Sequence, residues 1–442
     1  MEPVTSDLET DQRPPLSIPF AFFATGAVLL LIGGGIAGIA PFFLPIRASD
    51  SGTIHLLMAG WVGMTIMGAM IQFVPVWSGT ALHSERLAVY SLWMVLVGVA
   101  GTVGVFLFRA YGSFLLPATV LLGGFWTFAY LVGRTLPPIR SMDVTEGHFL
   151  LALVNVVLGT TMGWLLAMDV EYDVLAFLPV DSGNLLVAHL TMTIFGFVLV
   201  TIVGALYQLA PMFTQFDSNG VDATLVQVEM VSLPAGVYSL ATGRLFDVGV
   251  LAQGGATMIV AGVVCVAIFL FRHLWGARVE TNPLLRRYWL VAGSLFGWAI
   301  LTVPSWLIDP TSYFVRFGSQ RATHLLFIGV FTFTILGTFY HVVPFIVWFE
   351  EYSDRLGYEQ VPMIDDMYDG RIAAVEFWFL AGGLAILWLG ELVVAPTIVL
   401  MIGGNLLGVG VILFAINMGL VVWRHRPGTV REVFLTIRGT VQ

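Results

Sequence analysis

Apolar residues dominate long runs of this chain, and polar residues gather into short stretches between them. Twelve such runs stand out, roughly at 18–44, 55–77, 87–108, 114–132, 149–170, 185–213, 224–246, 249–271, 288–308, 323–349, 373–394 and 396–423. A helix that crosses a bilayer needs about 20 mostly apolar residues. Within lipid, helices of that length satisfy their own backbone polar groups. The pattern therefore predicts an all-α integral membrane protein with twelve transmembrane helices, bounded by tails at 1–17 and 424–442. The first run is too long for a secretion signal and lacks a small-residue cleavage pattern, so it is expected to be retained.

A motif recurs on the second, sixth and tenth runs. Its copies read His55, Gly60, Gly68, Gln72, Pro75; then His189, Gly196, Gly204, Gln208, Pro211; then His324, Gly329, Gly337, His341, Pro344. From the first glycine onward the spacing is identical. The histidine stands five residues before that glycine in copies one and three, and seven before it in copy two. One copy per four helices predicts three four-helix units, about 18–132, 149–271 and 288–423, forming a pseudo-three-fold bundle with the motif helices around a common interior.

Charge sets the orientation. All 19 basic residues are arginine, and the net charge is −9. An acidic, lysine-free chain points to a salt-loving source. With the N-terminus inside, fourteen arginines (Arg287 among them) fall on inner segments and five, Arg47, Arg109, Arg244, Arg316 and Arg321, on outer loops. The positive-inside rule then predicts a cell-membrane protein with both termini cytoplasmic. Without a basic patch, nucleic acid is not an expected partner. Cys265 stands alone, which excludes an intrachain disulfide and multi-cysteine metal sites; it reads as a small core residue.

The same orientation places His55, His189 and His324 near the outer face. Histidine in lipid is costly unless it has a partner or a metal. Two histidines at matching depth on two helices suit the axial positions of one low-spin haem, so His55 and His324 are the candidate ligands. Gly60 and Gly329, five residues on, would leave room for the flat macrocycle. The alternative is that each histidine caps or hydrogen-bonds at a helix end. His189 is a candidate ligand of a second metal or a hydrogen-bonding group. Arg316 and Arg321 precede His324 and suit haem propionates, since guanidinium binds carboxylates in a fork; interfacial anchoring explains them equally well. His341 lies seventeen residues beyond His324, about 25 Å along a helix, and belongs to no outer site.

The segment from His324 to Pro344 resembles helix 10 of the catalytic subunit I of haem-copper oxidases and nitric oxide reductases. His55 to Pro75 is similar to helix 2 of that family, and His189 to Pro211 to helix 6 of its C-class oxidase and nitric oxide reductase branch. The resemblance implies a low-spin haem b held by His55 and His324 and a second-metal role for His189. It implies respiratory electron transfer near the outer face, with a small cytochrome or copper-protein partner subunit and a quinol or cytochrome donor. Three features depart from it, the first being Thr193, four residues after His189, where some oxidases have a tyrosine. Ala322 stands where the family has the high-spin haem histidine, and the seventh helix, Leu225 to Leu245, has no histidine. The dinuclear centre is therefore dismantled, and copper or a second haem is not expected. The alternatives are an oxygen or nitric oxide reductase with an unconventional metal site at His189, and a haem-free transporter or assembly protein on the same scaffold.

The remaining polar residues have local readings. Glu229, beside Gln227 in the seventh run, is either a proton-path carboxylate or an interfacial group. Glu376 reads as interfacial. Gln72, Gln208 and His341, three residues before the motif prolines, read as partners for backbone groups freed there. The acidic stretch from Glu350 to Arg371 reads as a cytoplasmic connection without catalysis.

Overall fold

The computed structural model describes residues 14–38 and 51–426. The two tails, apart from residues 14–17 and 424–426, and Arg47 lie outside the described residues. We label the long helices α1 (Ser17–Gly38), α2 (Ser51–Ser78), α3 (Glu85–Phe108), α4 (Leu115–Thr135), α5 (Val144–Tyr172) and α6 (Ser182–Thr214). They continue with α7 (Gly220–Leu245), α8 (Gly249–Trp275), α9 (Pro283–Ile308), α10 (Leu325–Arg355), α11 (Gly370–Leu392) and α12 (Thr397–His425). Among the described residues, eleven of these are long and apolar enough to cross a membrane. The exception is α7. Its 26 residues are sufficient in length, but Asp222, Gln227, Glu229 and Arg244 make it less apolar than its neighbours.

Polar residues in the connections start many of the helices. Ser84, Asp181, Asn282 and Asp369 accept backbone N–H groups at the first turns of α3, α6, α9 and α11, and Asp143 and Asn219 form capping boxes on α5 and α7. These caps satisfy donors that a helix start leaves unpaired.

The motif helices share an irregularity. Each contains a π-helical segment: Leu56–Gly63 in α2, Thr191–Leu199 in α6 and Leu325–Thr332 in α10. The segment starts directly after His55 and His324, and two residues after His189. Such i→i+5 turns are frequent at functional sites.

The motif glycines are packing positions. A Cβ on Gly60 would sit 3.0 Å from Leu29, on Gly196 3.0 Å from Asn155, and on Gly329 would overlap Ser294. The second glycines do the same one turn-pair further in, with Gly68 against Phe22, Gly204 against His148 and Gly337 against Arg287. The partners are seven residues apart on α1, α5 and α9, so three successive helix pairs repeat one contact scheme. The glycines thus hold the preceding helix close. They do not supply the clearance for a macrocycle that the sequence suggested.

Other contacts join the units. Helix α12 packs on α1, α4 on α5 and α8 on α9. Residues of α2, α6 and α10, Met70, Thr201 and Phe339 among them, meet around a cavity. The α7–α8 pair is the most closely approached: a Cβ on Gly255 would run into the backbone of Leu240 and Gly236.

Candidate functional site: an outer cavity with two imidazoles

We call the end of the bundle at which α2 and α6 start the outer end; there the two helices line one apolar cavity. Its wall comes from α2, α3, α4, α5 and α6, with Met58, Phe125, Trp164 and Phe197 supplying much of the apolar surface. Both His55 and His189 line it. Nδ1 of His55 lies 2.7 Å from the Ser51 carbonyl, and Nδ1 of His189 lies 2.7 Å from the Gly159 carbonyl. A carbonyl accepts only, so each Nδ1 carries the proton and each neutral ring keeps a lone pair on Nε2. That is the state in which histidine binds a metal, its second nitrogen fixed by a backbone acceptor. Phe106 stacks on His55 with ring centroids 5.6 Å apart and steadies its plane. Thr102, buried on the same wall, has no hydrogen-bond partner for its hydroxyl.

His324 has a different setting. Its Nδ1 lies 2.9 Å from Glu391 Oε2 at the outer end of α11. Both groups are half-buried, and the pair is close without hydrogen-bond alignment. No α10 residue lines the His55 cavity among the described residues. Gly60 and Gly329, the other support for a porphyrin between His55 and His324, are filled by Leu29 and Ser294. The cavity thus brings His55 together with His189 and leaves His324 outside its lining, and two imidazoles anchored through Nδ1 are the donor set that a bis-histidine haem takes. No cluster of three or more His, Cys, Asp or Glu suited to a metal ion occurs among the described residues.

Arg316 bonds the Tyr313 carbonyl at 2.9 Å and stacks over that ring at 4.0 Å, while Arg321 is exposed. The outer arginine that organises this end is Arg244. It is not in a loop, as its charge class suggested, but in the last turn of α7, and it is 1% exposed. Its guanidinium donates to the carbonyls of Pro310, Val315 and Arg316 and to Thr191 Oγ1 at 2.8–3.2 Å. It ties the loop before α10 to the first residue of the α6 π segment.

The inner halves hold two further clusters. Glu229 is fully buried; His148 Nε2 lies 3.2 and 3.1 Å from its two oxygens, and Tyr207 donates to Oε2 at 3.0 Å. This removes the interfacial reading of Glu229. Glu376 is also fully buried, which corrects its interfacial assignment. It pairs with Arg287 and accepts from Tyr340 at 3.1 Å, and Asn417 donates to the Tyr340 hydroxyl at 3.3 Å. Arg287, counted from sequence among inner-face charges, has no exposed surface. Gln72, read as a backbone partner, leaves its Oε1 without a hydrogen bond, and His341 packs edge-on against Phe213.

Sequence reasoning missed the His148, Arg244, Arg287 and Glu391 roles. One signal was available for two of them. His148 and Arg287 each stand fifth in their helix, and Tyr207 and Tyr340 each precede the Gln or His of the motif. Extending the repeat to neighbouring helices aligns both clusters. Comparison with known protein families and with curated proteins finds no match for this sequence.

Proposed function

We propose that this chain is a haem-binding membrane protein on a haem-copper-oxidase-like scaffold, with a low-spin haem b carried by His55 and His189 and serving respiratory electron transfer near the outer face. The observation that carries this reading is the pair of imidazoles, each tied by Nδ1 to a backbone carbonyl, that line one apolar cavity. Bound there, the haem supplies one-electron transfer, as bis-histidine haems do. The chain's own part is preparation. Ser51 and Gly159 fix the tautomers, Phe106 holds the His55 plane, and the apolar wall keeps water from the iron position. Ala322 offers no ligating atom and α7 no histidine, so oxygen reduction by the family's usual route is not part of the proposal. The repeated glycine contacts, and the cavity shared by α2, α6 and α10, support a pseudo-three-fold arrangement of three four-helix units with twelve spans. The arginine bias supports cytoplasmic termini in the cell membrane. A small cytochrome or copper protein at the outer face is the matching partner class.

A reduced-minus-oxidised spectrum of the purified protein tests the reading. The wild type is expected to show a low-spin b-type Soret band that is lost in His55→Ala and in His189→Ala and kept in His324→Ala. A band lost in His324→Ala and kept in His189→Ala returns the pairing to His55 and His324. A wild type without any Soret band ends the haem proposal and favours the haem-free alternative.

A further inference from the structure

The two inner clusters occupy the same place in successive repeat units and differ in one residue type. In each, the fifth residue of one helix, a tyrosine of the motif helix and a glutamate of the following helix come together. The second unit uses His148, Tyr207 and Glu229; the third uses Arg287, Tyr340 and Glu376. His148 Nδ1 lies 2.7 Å from the Val144 carbonyl four residues back, and Arg287 Nη1 donates at 2.7 Å to the Pro283 carbonyl four residues back. The glycine facing each is also equivalent, Gly204 for His148 and Gly337 for Arg287.

Arginine keeps its charge at every accessible pH, so Arg287 and Glu376 are a locked pair. Imidazole does not. In the second cluster Nδ1 already donates its hydrogen bond to the Val144 carbonyl, and the Tyr207 hydroxyl donates its own to Glu229. Nε2 faces both carboxylate oxygens, and a lone pair there would oppose two anionic atoms. One proton therefore lies between them. It can sit on Nε2 beside a carboxylate, or on the carboxyl beside a neutral ring. Moving from one form to the other breaks one N–H bond, makes one O–H bond and leaves the net charge unchanged.

We infer that His148 and Glu229 form a proton-carrying station in the inner half of the bundle, the exchangeable counterpart of the locked Arg287–Glu376 pair. The groups that face it are few. Tyr207 comes from α6, Cys265 of α8 lies within electrostatic range of Glu229, and Asp143 caps the inner end of α5. Phe269 packs edge-on against Tyr207 with ring centroids 4.9 Å apart, and the Thr145 hydroxyl, one turn before His148, donates to the Gly204 carbonyl. The inference does not depend on the haem reading, because no residue of the outer cavity takes part.

Infrared difference spectra of the full chain in lipid nanodiscs, taken between about pH 4 and about pH 10, test it. The wild type is expected to show one buried carboxyl band coupled to an imidazole ring mode. Glu229→Gln abolishes that band and Glu376→Gln leaves it. His148→Arg rebuilds the third unit's socket in the second, so the chain is expected to fold and the band to disappear. Where His148→Arg fails to fold, histidine labelled with nitrogen-15 in the wild type gives the same answer through the shift of the ring mode. A wild type with no such band, or a band that survives both Glu229→Gln and His148→Arg, overturns the inference.

Discussion

The outer and inner halves of the same helices treat their polar groups in opposite ways. In the inner half, Glu229 and Glu376 are closed in by donors from two other helices each. In the outer half, His55 and His189 each spend one nitrogen on a backbone carbonyl and leave the other uncommitted beside an apolar cavity. Glu376 Oε1 and Arg287 Nε are buried without a hydrogen-bond partner, so spare capacity alone does not set the halves apart. The inner groups bond one another across helices, whereas the outer imidazoles bond only backbone and face a cavity that could take a ligand. The lesson is that burial alone does not mark a binding site in this bundle. The four inner ionisable groups are more buried than the two outer histidines, and two of them form a pair that cannot exchange anything.

The largest expected effect breaks the inner side of that comparison. Arg287→Ala strands Glu376 at zero exposure. Removing one partner of a buried ion pair costs about 3–5 kcal/mol, while replacing both by apolar residues of similar volume is often close to neutral. The unfolding midpoint in detergent should fall steeply for Arg287→Ala and largely recover in Arg287→Met combined with Glu376→Leu. His148→Ala should be milder, because in the form with the proton on the carboxyl Glu229 is already neutral and leaves no charge to strand. Equal losses for Arg287→Ala and His148→Ala would show that both pairs are structural and erase the distinction between them.

A smaller effect concerns the clamp that joins α7 to the outer cavity. Arg244→Met keeps the apolar stem but removes donors to Pro310, Val315, Arg316 and Thr191. Unmade bonds to buried acceptors cost about 1–3 kcal/mol. The loop at 309–322 should then be cut faster by protease while the transmembrane helices stay protected. Because Thr191 opens the α6 π segment next to His189, the same variant should weaken ligand binding in the cavity. An unchanged cleavage rate would mean that Trp298 and Trp306, which donate to Phe317 and Val315, hold the loop alone.

Much of this molecule was legible in the chain. Apolar run length located the helices, and the spacing Gly60–Gly68, Gly196–Gly204 and Gly329–Gly337 located the repeat whose contacts the fold shows. The face on which His55 points was not legible, for a geometric reason. Each i→i+5 turn adds a residue and rotates what precedes it by about 100° relative to the glycines that follow. The π segments begin one or two residues after the histidines, so the regular downstream motif says little about where the imidazoles aim. Glu376 and Arg287 were misplaced for another reason. They are 89 residues apart, each lies near a helix end in sequence, and only the packing of α9 on α11 reveals them as partners. α7 illustrates the limit of hydropathy, since its charged residues find partners on α5, α6 and α8 and in the outer loop.

The smallest expected effect lies outside the membrane, where Asp369 caps α11. Its carboxylate accepts from the backbone N–H groups of Arg371 at 2.8 Å and Ile372 at 3.1 Å. Those donors, Ile372 first, hold its pKa below the usual aspartate value. A depressed carboxylate contributes stability that is complete above the unfolded value, about pH 4, and is lost as pH falls through the lower folded value. Asp369→Asn keeps an acceptor for the cap but has nothing to titrate. Acid unfolding followed in detergent should therefore show a slightly shallower loss of stability below about pH 4 in Asp369→Asn than in the wild type, with the two coinciding near neutrality. Identical acid limbs would mean that other carboxylates, Asp222 among them, whose pKa also lies below the usual aspartate value, set the acid response, and that the cap is only a local device at the start of α11.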